Sequence, residues 1–202
     1  MTGNSDEIAA IVLAAGASTR FGEPKQLLQF GDKTLVRRAV ETAVETGCRP
    51  VIAVLGAHFD SVKNELDGLD CCAVLNPDWS AGMSGSIKTG IEKTLEIAPA
   101  ASAAFIILCD QPLIEAAHLK MLFEKFRTAK KPIAAAAFGE IAGPPAIFSK
   151  EMFPDLLKLS GDRGAREIFR RRPQLVERVF LPEAAFDLDT REDLERIKNA
   201  GK

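Results

Sequence analysis

In the stretch LAAGASTRFGEPKQLL, Leu13 to Leu28, an apolar run gives way to a glycine-bearing loop and then, within a dozen positions, to Arg20 and Lys25. Small residues at Ala14, Ala15, Gly16 and Ser18 let backbone N–H groups approach an anion closely. Arg20 adds a planar fork for phosphate oxygens and Lys25 a compact point charge. Two common phosphate loops fail on spacing. A G-x-x-x-x-G-K-[ST] loop is excluded because Gly16 and Gly22 are too far apart and Glu23 follows, and G-x-G-x-x-G is absent. A glycine turn whose cations are merely solvated stays open as the plain alternative. Because Arg20 and Lys25 fall in no apolar pattern, both are expected to act on a bound anion rather than on folding.

A second chemical residue is Asp110, which ends the apolar run AAFIILCD and is followed by Pro112, a turn that presents a carboxylate at a sheet end. It is the best available magnesium ligand, with helix capping as its alternative role. The segment NPDWSAGMSGSIKTG, Asn76 to Gly90, puts small residues and hydroxyls before a helix, so its N–H groups could receive a base, a ribose or an acceptor. Gly82, Met83 and Ser84 are expected nearer the ligands, and Trp79 in packing. His58 reads as a surface or partly packed residue. Arg170 to Arg172 read as a solvated helix end rather than a nucleic-acid patch.

Positioning these residues requires strands that end beneath them. Ile8 to Leu13, Pro50 to Gly56, Cys71 to Leu75 and Ala103 to Asp110 read as buried strands. Between them lie helical patterns: Leu35 to Val44, stopped at Gly47; Ile87, Ile91 and Leu95; Leu119 to Phe126. This alternation predicts an α/β chain: one three-layer domain over 1–202, with a mainly parallel, Rossmann-like sheet and helices on both faces. Ligands in such sheets bind at the carboxyl ends of strands, where both the Gly16 loop and Asp110 fall. Farther on, Pro132 to Phe138 is a strand, Gly143 to Phe148 a turn plus a short strand, and Met152 to Leu157 a helix. Leu159 to Phe169 is loop into helix, Leu175 to Leu181 a strand, and a last helix starts near Thr190.

The loop closely resembles the signature L-A-[AG]-G-x-S-x-R-[FM]-G-x-x-K of nucleotidyltransferases that activate small phosphorylated molecules. The segments NPDWSAGMSGSIKTG, CDQP, GPPAIF, LSGDRGAR and FDLDTREDL resemble, in order and over almost the whole chain, the molybdenum cofactor cytidylyltransferase type of the MobA-like family. Arg191 departs from the usual proline there, affecting only the start of the last helix. The resemblance implies the nucleotide-diphospho-sugar transferase fold, with a nucleotide-binding half over about 8–112 and an acceptor-binding half over about 113–202. It implies catalytic Arg20, Lys25 and Asp110. Nucleotide contacts would come from Leu13, Ala14, Ala15, Gly16, Ser18, Arg20, Lys25, Asn76, Gly82 and Ser84, and acceptor contacts from Gly143, Pro145, Asp162 and Arg166. Mg2+ would sit on Asp110 and Asp189, with Asp187 a less certain neighbour. An Asp162–Arg166 pair that only orders the turn, and an Asp189 that caps the last helix, remain open.

The activity implied is transfer of CMP from CTP to the phosphate of molybdenum-molybdopterin, serving a molybdenum hydroxylase or its cofactor-insertion chaperone. The acceptor phosphate is largely ionised near neutral pH, so it attacks without a general base, which suits a chain with two histidines. The guanylyl branch usually reads L-A-G-G where this chain has LAAG, and the Ala15 methyl narrows the base pocket. Guanylyl transfer, sugar-phosphate activation and a non-catalytic cofactor carrier are the competing functions.

The 202 residues are 47% hydrophobic and carry a formal net charge of −2, which gives no global pull toward nucleic acid or an anionic membrane. No apolar run is long enough to span a bilayer and no leader is evident, so a cytoplasmic protein is expected. Four cysteines without C-x-x-C spacing and two distant histidines argue against zinc or a disulfide framework.

Overall fold

The computed structural model describes residues 7–18, 22–162, 164–190 and 192–193. Chain order runs β1 (Ile8–Ala14), β2 (Gln29–Phe30), β3 (Lys33–Thr34), α1 (Leu35–Thr46), β4 (Val51–Leu55), α2 (Phe59–Asn64), β5 (Cys72–Leu75) and α3 (Met83–Ile97). It continues with β6 (Ala103–Leu108), α4 (Ala116–Ala129), β7 (Ile133–Phe138), β8 (Ile141–Ser149), α5 (Phe153–Leu157), α6 (Arg166–Arg171) and β9 (Val176–Phe180). One seven-stranded sheet has the order β5-β4-β1-β6-β8-β7-β9, and β2 and β3 form a separate small hairpin. Only β8 runs against its neighbours. The expected α/β class and mainly parallel sheet are therefore observed.

Strand alternation divides the core into two layers. Ala10, Val12, Val51, Ala53, Phe105 and Ile107 face Val36, Val40, Val62, Leu119 and Leu122 of α1, α2 and α4. Ala9, Ile11, Ile52, Val54, Ala104 and Ile106 face Ile87, Ile91, Phe153, Leu156 and Phe169 of α3, α5 and α6. Burial on both faces explains why these strands read as continuous apolar runs, each fully buried large side chain contributing about 1.5–3 kcal/mol. Gly47, at φ 91°, closes α1 in the left-handed region, as its position predicts.

The segment around Gly143 departs from expectation: it is not a turn plus a short strand but part of the nine-residue β8, inserted antiparallel between β6 and β7. Proline supplies no N–H to a ladder and is tolerated there because pairing skips it. The β7 register jumps from Ala135↔Ala146 to Ala136↔Gly143, and pairing with β6 stops at Ala146, so Pro144 and Pro145 have no rung to fill on either side. The β2–β3 hairpin and α2 are short elements without a full period and were not foreseen. Of the last helix, only Glu192 and Asp193 lie within the described residues.

The order reverses at β1. β4 and β5 extend the sheet to one side, β6 to the other, and this switch point opens a crevice at the carboxyl ends of β1 and β6. Leu13 pairs with Leu108, so the loops that begin at Ala15 and at Cys109 emerge side by side.

Helix α3 lies so close to β1 that a Cβ on Gly90 would collide with Ile11 Cγ2, with Cγ1 and Cδ1 both at 3.2 Å. Gly90→Ala gains about 1 kcal/mol of helix propensity but sets it against about 1–3 kcal/mol of overpacking, so it should lower the melting temperature. In an Ile11→Ala background the same substitution should raise it; equal effects in both backgrounds would refute the close approach.

Candidate active site

At the switch point the β1 loop is shaped by a residue that the sequence did not single out. Gln26, 1% exposed, donates through Nε2 to Ala14 O at 3.0 Å and Gly16 O at 2.6 Å. Ser18, at φ 55°, donates to Gln26 Oε1 and accepts the Lys25 N–H at 3.0 Å. Beyond its chain neighbours, a Cβ on Gly16 would meet no atom of the described residues within 4 Å, and Gly16 lines the crevice. Gln26 follows the signature lysine directly, but an isolated glutamine gives no sign that its amide will be buried. Arg20 falls within residues 19–21, outside the described residues.

Lys25 reaches across the end of β6. Its Nζ lies 2.5 Å from Asp110 Oδ2 and 3.1 Å from Asp189 Oδ1, and donates to Leu188 O at 3.4 Å. The Lys25 and Asp110 side chains are each 18% exposed. Burial pulls the Lys25 pKa down, but the charge and hydrogen bond of Asp110, with Asp189 behind them, override it and hold the ammonium well above its ordinary range. Lys25 thus has a structural task as well, since it neutralises two carboxylates that would otherwise face each other. The expectation that it acts on an anion and not on folding was incomplete.

Asp110 does not take the capping role, whereas the Asp189 alternative concerns a last helix that lies mostly outside the described residues. Glu115, not Asp110, caps α4. Thr190 and Asp193 form their own reciprocal pair, with Thr190 N and Oγ1 each donating to Asp193 Oδ2 at 2.8 Å and Asp193 N donating to Thr190 Oγ1 at 3.2 Å. Asp189 is left with its Oδ1 on Lys25.

Gln111 also escaped the sequence reading. Its Nε2 donates to Pro144 O at 3.2 Å, Ala184 O at 3.0 Å and Asp187 Oδ1 at 3.0 Å, joining three segments. Burial first, and Asp110 second, push the Asp187 carboxyl above its ordinary value, against the opposing pull of Gln111 and Arg166.

Two clefts meet over this cluster. A cleft of about 530 Å³ is lined by Leu13, Ala14, Ala15, Gly16, Ser18 and Gly82, and by Trp79. A larger one, about 730 Å³, is lined by Asp162, Arg166, Arg170, Pro144, Asp187 and Asp189. Lys25, Asp110, Met83, Leu108 and Asp162 line both. Trp79 packs as expected and also faces the smaller cleft, since a Cβ on Gly56 would lie 2.5 Å from Trp79 Cβ and 2.6 Å from Ala15 O. Gly82, at φ 111°, packs against the backbone of Gly161, which accepts the Ser84 N–H at 3.2 Å.

Four expected site residues line neither cleft. Asn76 is 2% exposed, with Nδ2 donating to Ser86 Oγ and Oδ1 accepting from Asp78 N, so its amide shapes the turn. Ser84 is buried under the turn, while Ser86 faces the smaller cleft. Gly143 and Pro145 flank Pro144, which faces the larger one. His58 is exposed, in a left-handed backbone conformation. The cysteines are free: Cys48 and Cys109 are buried, burial pushing each thiol up to about 12, whereas Cys71 and Cys72 are half-buried.

The donor set suits a small divalent cation. Asp110 Oδ1 is buried with no hydrogen-bond partner among the described residues, and its partner oxygen shares a cation with Asp189. Among the described residues no three His, Cys, Asp or Glu side chains could hold a metal. A cation bound by Asp110 and Asp189 therefore needs waters or ligand phosphates, the usual habit of Mg2+. Among the described residues no helix is long and apolar enough to cross a membrane.

A family model for the MobA-like NTP transferase domain matches residues 10–178. The chain is 31% identical over 201 residues to a protein named nicotine blue oxidoreductase from Paenarthrobacter nicotinovorans, covering 94% of this chain and 96% of that one. It is 30% identical over 141 residues to a protein named "Probable molybdenum cofactor guanylyltransferase" from Opitutus terrae, covering 69% of this chain and 65% of that one. The solved complex of Rv0371c with manganese from Mycobacterium tuberculosis H37Rv aligns with a TM-score of 0.75 at 27% identity, covering 95% of this chain and 97% of that one.

The raised Asp187 pKa fixes a sign. An acid whose folded pKa lies above its unfolded value favours folding below the unfolded pKa and loses that contribution as pH rises through the folded one. Asp187→Asn, which keeps an oxygen for Gln111, should therefore raise the melting temperature at neutral pH, and the gain should vanish as pH falls through the carboxylate range. A gain independent of pH, or a loss at neutral pH, would contradict the assignment.

Proposed function

Because this chain belongs to the MobA-like NTP transferase family, we propose that it transfers CMP from CTP to the phosphate of a molybdopterin-type cofactor, releasing pyrophosphate. The observation that carries this is the Lys25–Asp110–Asp189 cluster, set where two clefts meet and lining both through Lys25 and Asp110. A transferase needs two bound substrates that touch at one charged point. The nucleotide-binding half, about 8–112, and the acceptor-binding half, about 113–202, each supply most of one cleft. The likeness to a molybdenum cofactor guanylyltransferase supports the acceptor.

In this mechanism the Gly16 loop, shaped by Gln26 and Ser18, cradles the triphosphate with backbone N–H groups. Lys25, drawn from the carboxylates to the phosphates, and Arg20 offset the negative charge that builds on the leaving pyrophosphate. An oxygen of the acceptor phosphate attacks the α-phosphorus of CTP, and the bond to the β-phosphate oxygen breaks. The acceptor oxygen is already ionised, so no side chain removes a proton. Alignment and charge neutralisation are the chain's whole task. Mg2+ held by Asp110 and Asp189 would neutralise the triphosphate and fix its orientation when bound; the manganese complex of a relative supports a divalent ion.

Ala15 in place of a second glycine, with Trp79 seated on Gly56 beside it in the smaller cleft, supports the smaller base, cytosine. The likeness to a protein named nicotine blue oxidoreductase supports a second reading, an oxidoreductase activity on nicotine blue. Incubation with a metal ion, each triphosphate and the isolated cofactor, with the product identified by mass, decides between them. A cytidylyl product is expected; no nucleotide product with any triphosphate, together with consumption of added nicotine blue, would overturn transfer.

Lys25→Ala should lower turnover by more than about tenfold, or at least roughly 1.4 kcal/mol of transition-state stabilisation. It should also lower the melting temperature, because Asp110 and Asp189 lose their counter-ion. Adding Asp110→Asn should restore the melting temperature but not turnover; normal turnover in Lys25→Ala removes the lysine from the reaction. For the base, kcat/KM should favour CTP over GTP, and Ala15→Gly should recover part of the GTP activity, since one methyl-sized group is worth about 1–3 kcal/mol. Equal use of GTP by the parent would refute the cytidylyl assignment.

A further inference from the structure

The larger cleft is rich in carboxylates: Asp110, Asp162, Asp187 and Asp189 all line it. Its cations among the described lining residues are Lys25, Arg166 and Arg170. Lys25 is held by two of those carboxylates. A dianionic acceptor entering this cleft therefore meets net repulsion unless the two arginines take it. They are placed to do so, one turn apart on the same side of α6, both exposed and both lining the cleft.

The basic run at the end of α6 is not uniform. Arg171 pairs with Glu167 at 2.6 Å and Arg172 with Asp155 at 2.7 Å, so these two are occupied on the surface. The Arg171 pair also neutralises Glu167, a fifth acid lining the cleft. All three are exposed at the end of α6, as expected of a solvated helix end, and Arg170 alone of them also lines the cleft. Two guanidinium forks match the charge of one phosphate dianion and can each bind it through two parallel hydrogen bonds. Met83 and Leu108 add apolar lining to the same cleft.

Resting on the transfer activity proposed above, we propose that Arg170 acts with Arg166 as the phosphate-binding pair of the acceptor cleft, selecting an acceptor that carries a phosphate dianion. Arg170 holds the attacking phosphate against the repulsion of the surrounding carboxylates, and loss of either fork weakens the acceptor and leaves the nucleotide unaffected.

The test pairs kinetics with binding. In Arg170→Gln the KM for the isolated molybdenum cofactor should rise at least about tenfold while the KM for CTP stays within about twofold, and Arg170→Lys should recover part of the loss. Arg172→Gln, whose partner Asp155 lies outside the cleft, should leave both constants unchanged. Without turnover, the fluorescent oxidised pterin obtained from the cofactor, with and without its phosphate, is titrated by anisotropy. The parent should bind the phosphorylated form at least about tenfold more tightly, and Arg170→Gln should bind both forms alike. An unchanged melting temperature keeps the comparison valid at this exposed site. Equal binding of the two forms by the parent, or a preference that survives in Arg170→Gln, overturns the proposal even if CTP is turned over. A preference lost in Arg170→Gln, without cytidylyl transfer, upholds the phosphate pair and refutes the transfer activity instead.

Discussion

One half-buried ammonium group organises the candidate site. Lys25 is 85 residues from Asp110 and 164 from Asp189, yet its Nζ meets both carboxylates. Two acids gathered at the end of a buried sheet repel each other, and Asp110, the less exposed of them, also loses hydration, so a counter-ion between them stabilises the arrangement. The lysine thereby ties the first loop, the end of the central strand and the C-terminal segment into one surface. Leu188 N adds a neutral tie, donating to Asp110 O at 2.8 Å.

The two glutamines work in a complementary way. Gln26 and Gln111 are 1% and 5% exposed, and each directs one amide at several carbonyls, so loops without regular structure acquire fixed shapes. A buried amide is costly unless nearly all its valences are used, which is why such a residue fixes one loop conformation and penalises others. In Gln111 the remaining oxygen has no hydrogen-bond partner among the described residues. It therefore marks the junction where the acceptor-side loops meet as a place with polar capacity to spare.

Charge in the larger cleft is arranged rather than simply accumulated. Acids outnumber bases among the lining residues, and the cations are divided between holding the protein together and facing the cleft: Lys25 to its aspartates, Arg171 to Glu167, Arg166 and Arg170 outward. The net charge of −2 conceals this division, because binding depends on where a charge can reach and not on the total.

The sequence by itself determined the layer architecture, since strands buried on both faces must be apolar at every position and helices facing them must repeat every three to four residues. It also placed Lys25, Asp110, Gly16 and Asp189 in signature segments and put Gly16 and Asp110 at strand ends. It could not reveal β8 as a central antiparallel strand, because Pro144 and Pro145 argue locally against pairing and only the bulge opposite Ala136 shows that their missing donors are not needed. Nor could it separate Arg170 from Arg171 and Arg172, or tell that Asn76 and Gln26 spend their amides inside the protein while Ser86 faces the cleft. Those distinctions depend on contacts between residues far apart in the chain. Periodicity reports which side of its own element a residue occupies; only the tertiary structure decides what stands on that side to meet it.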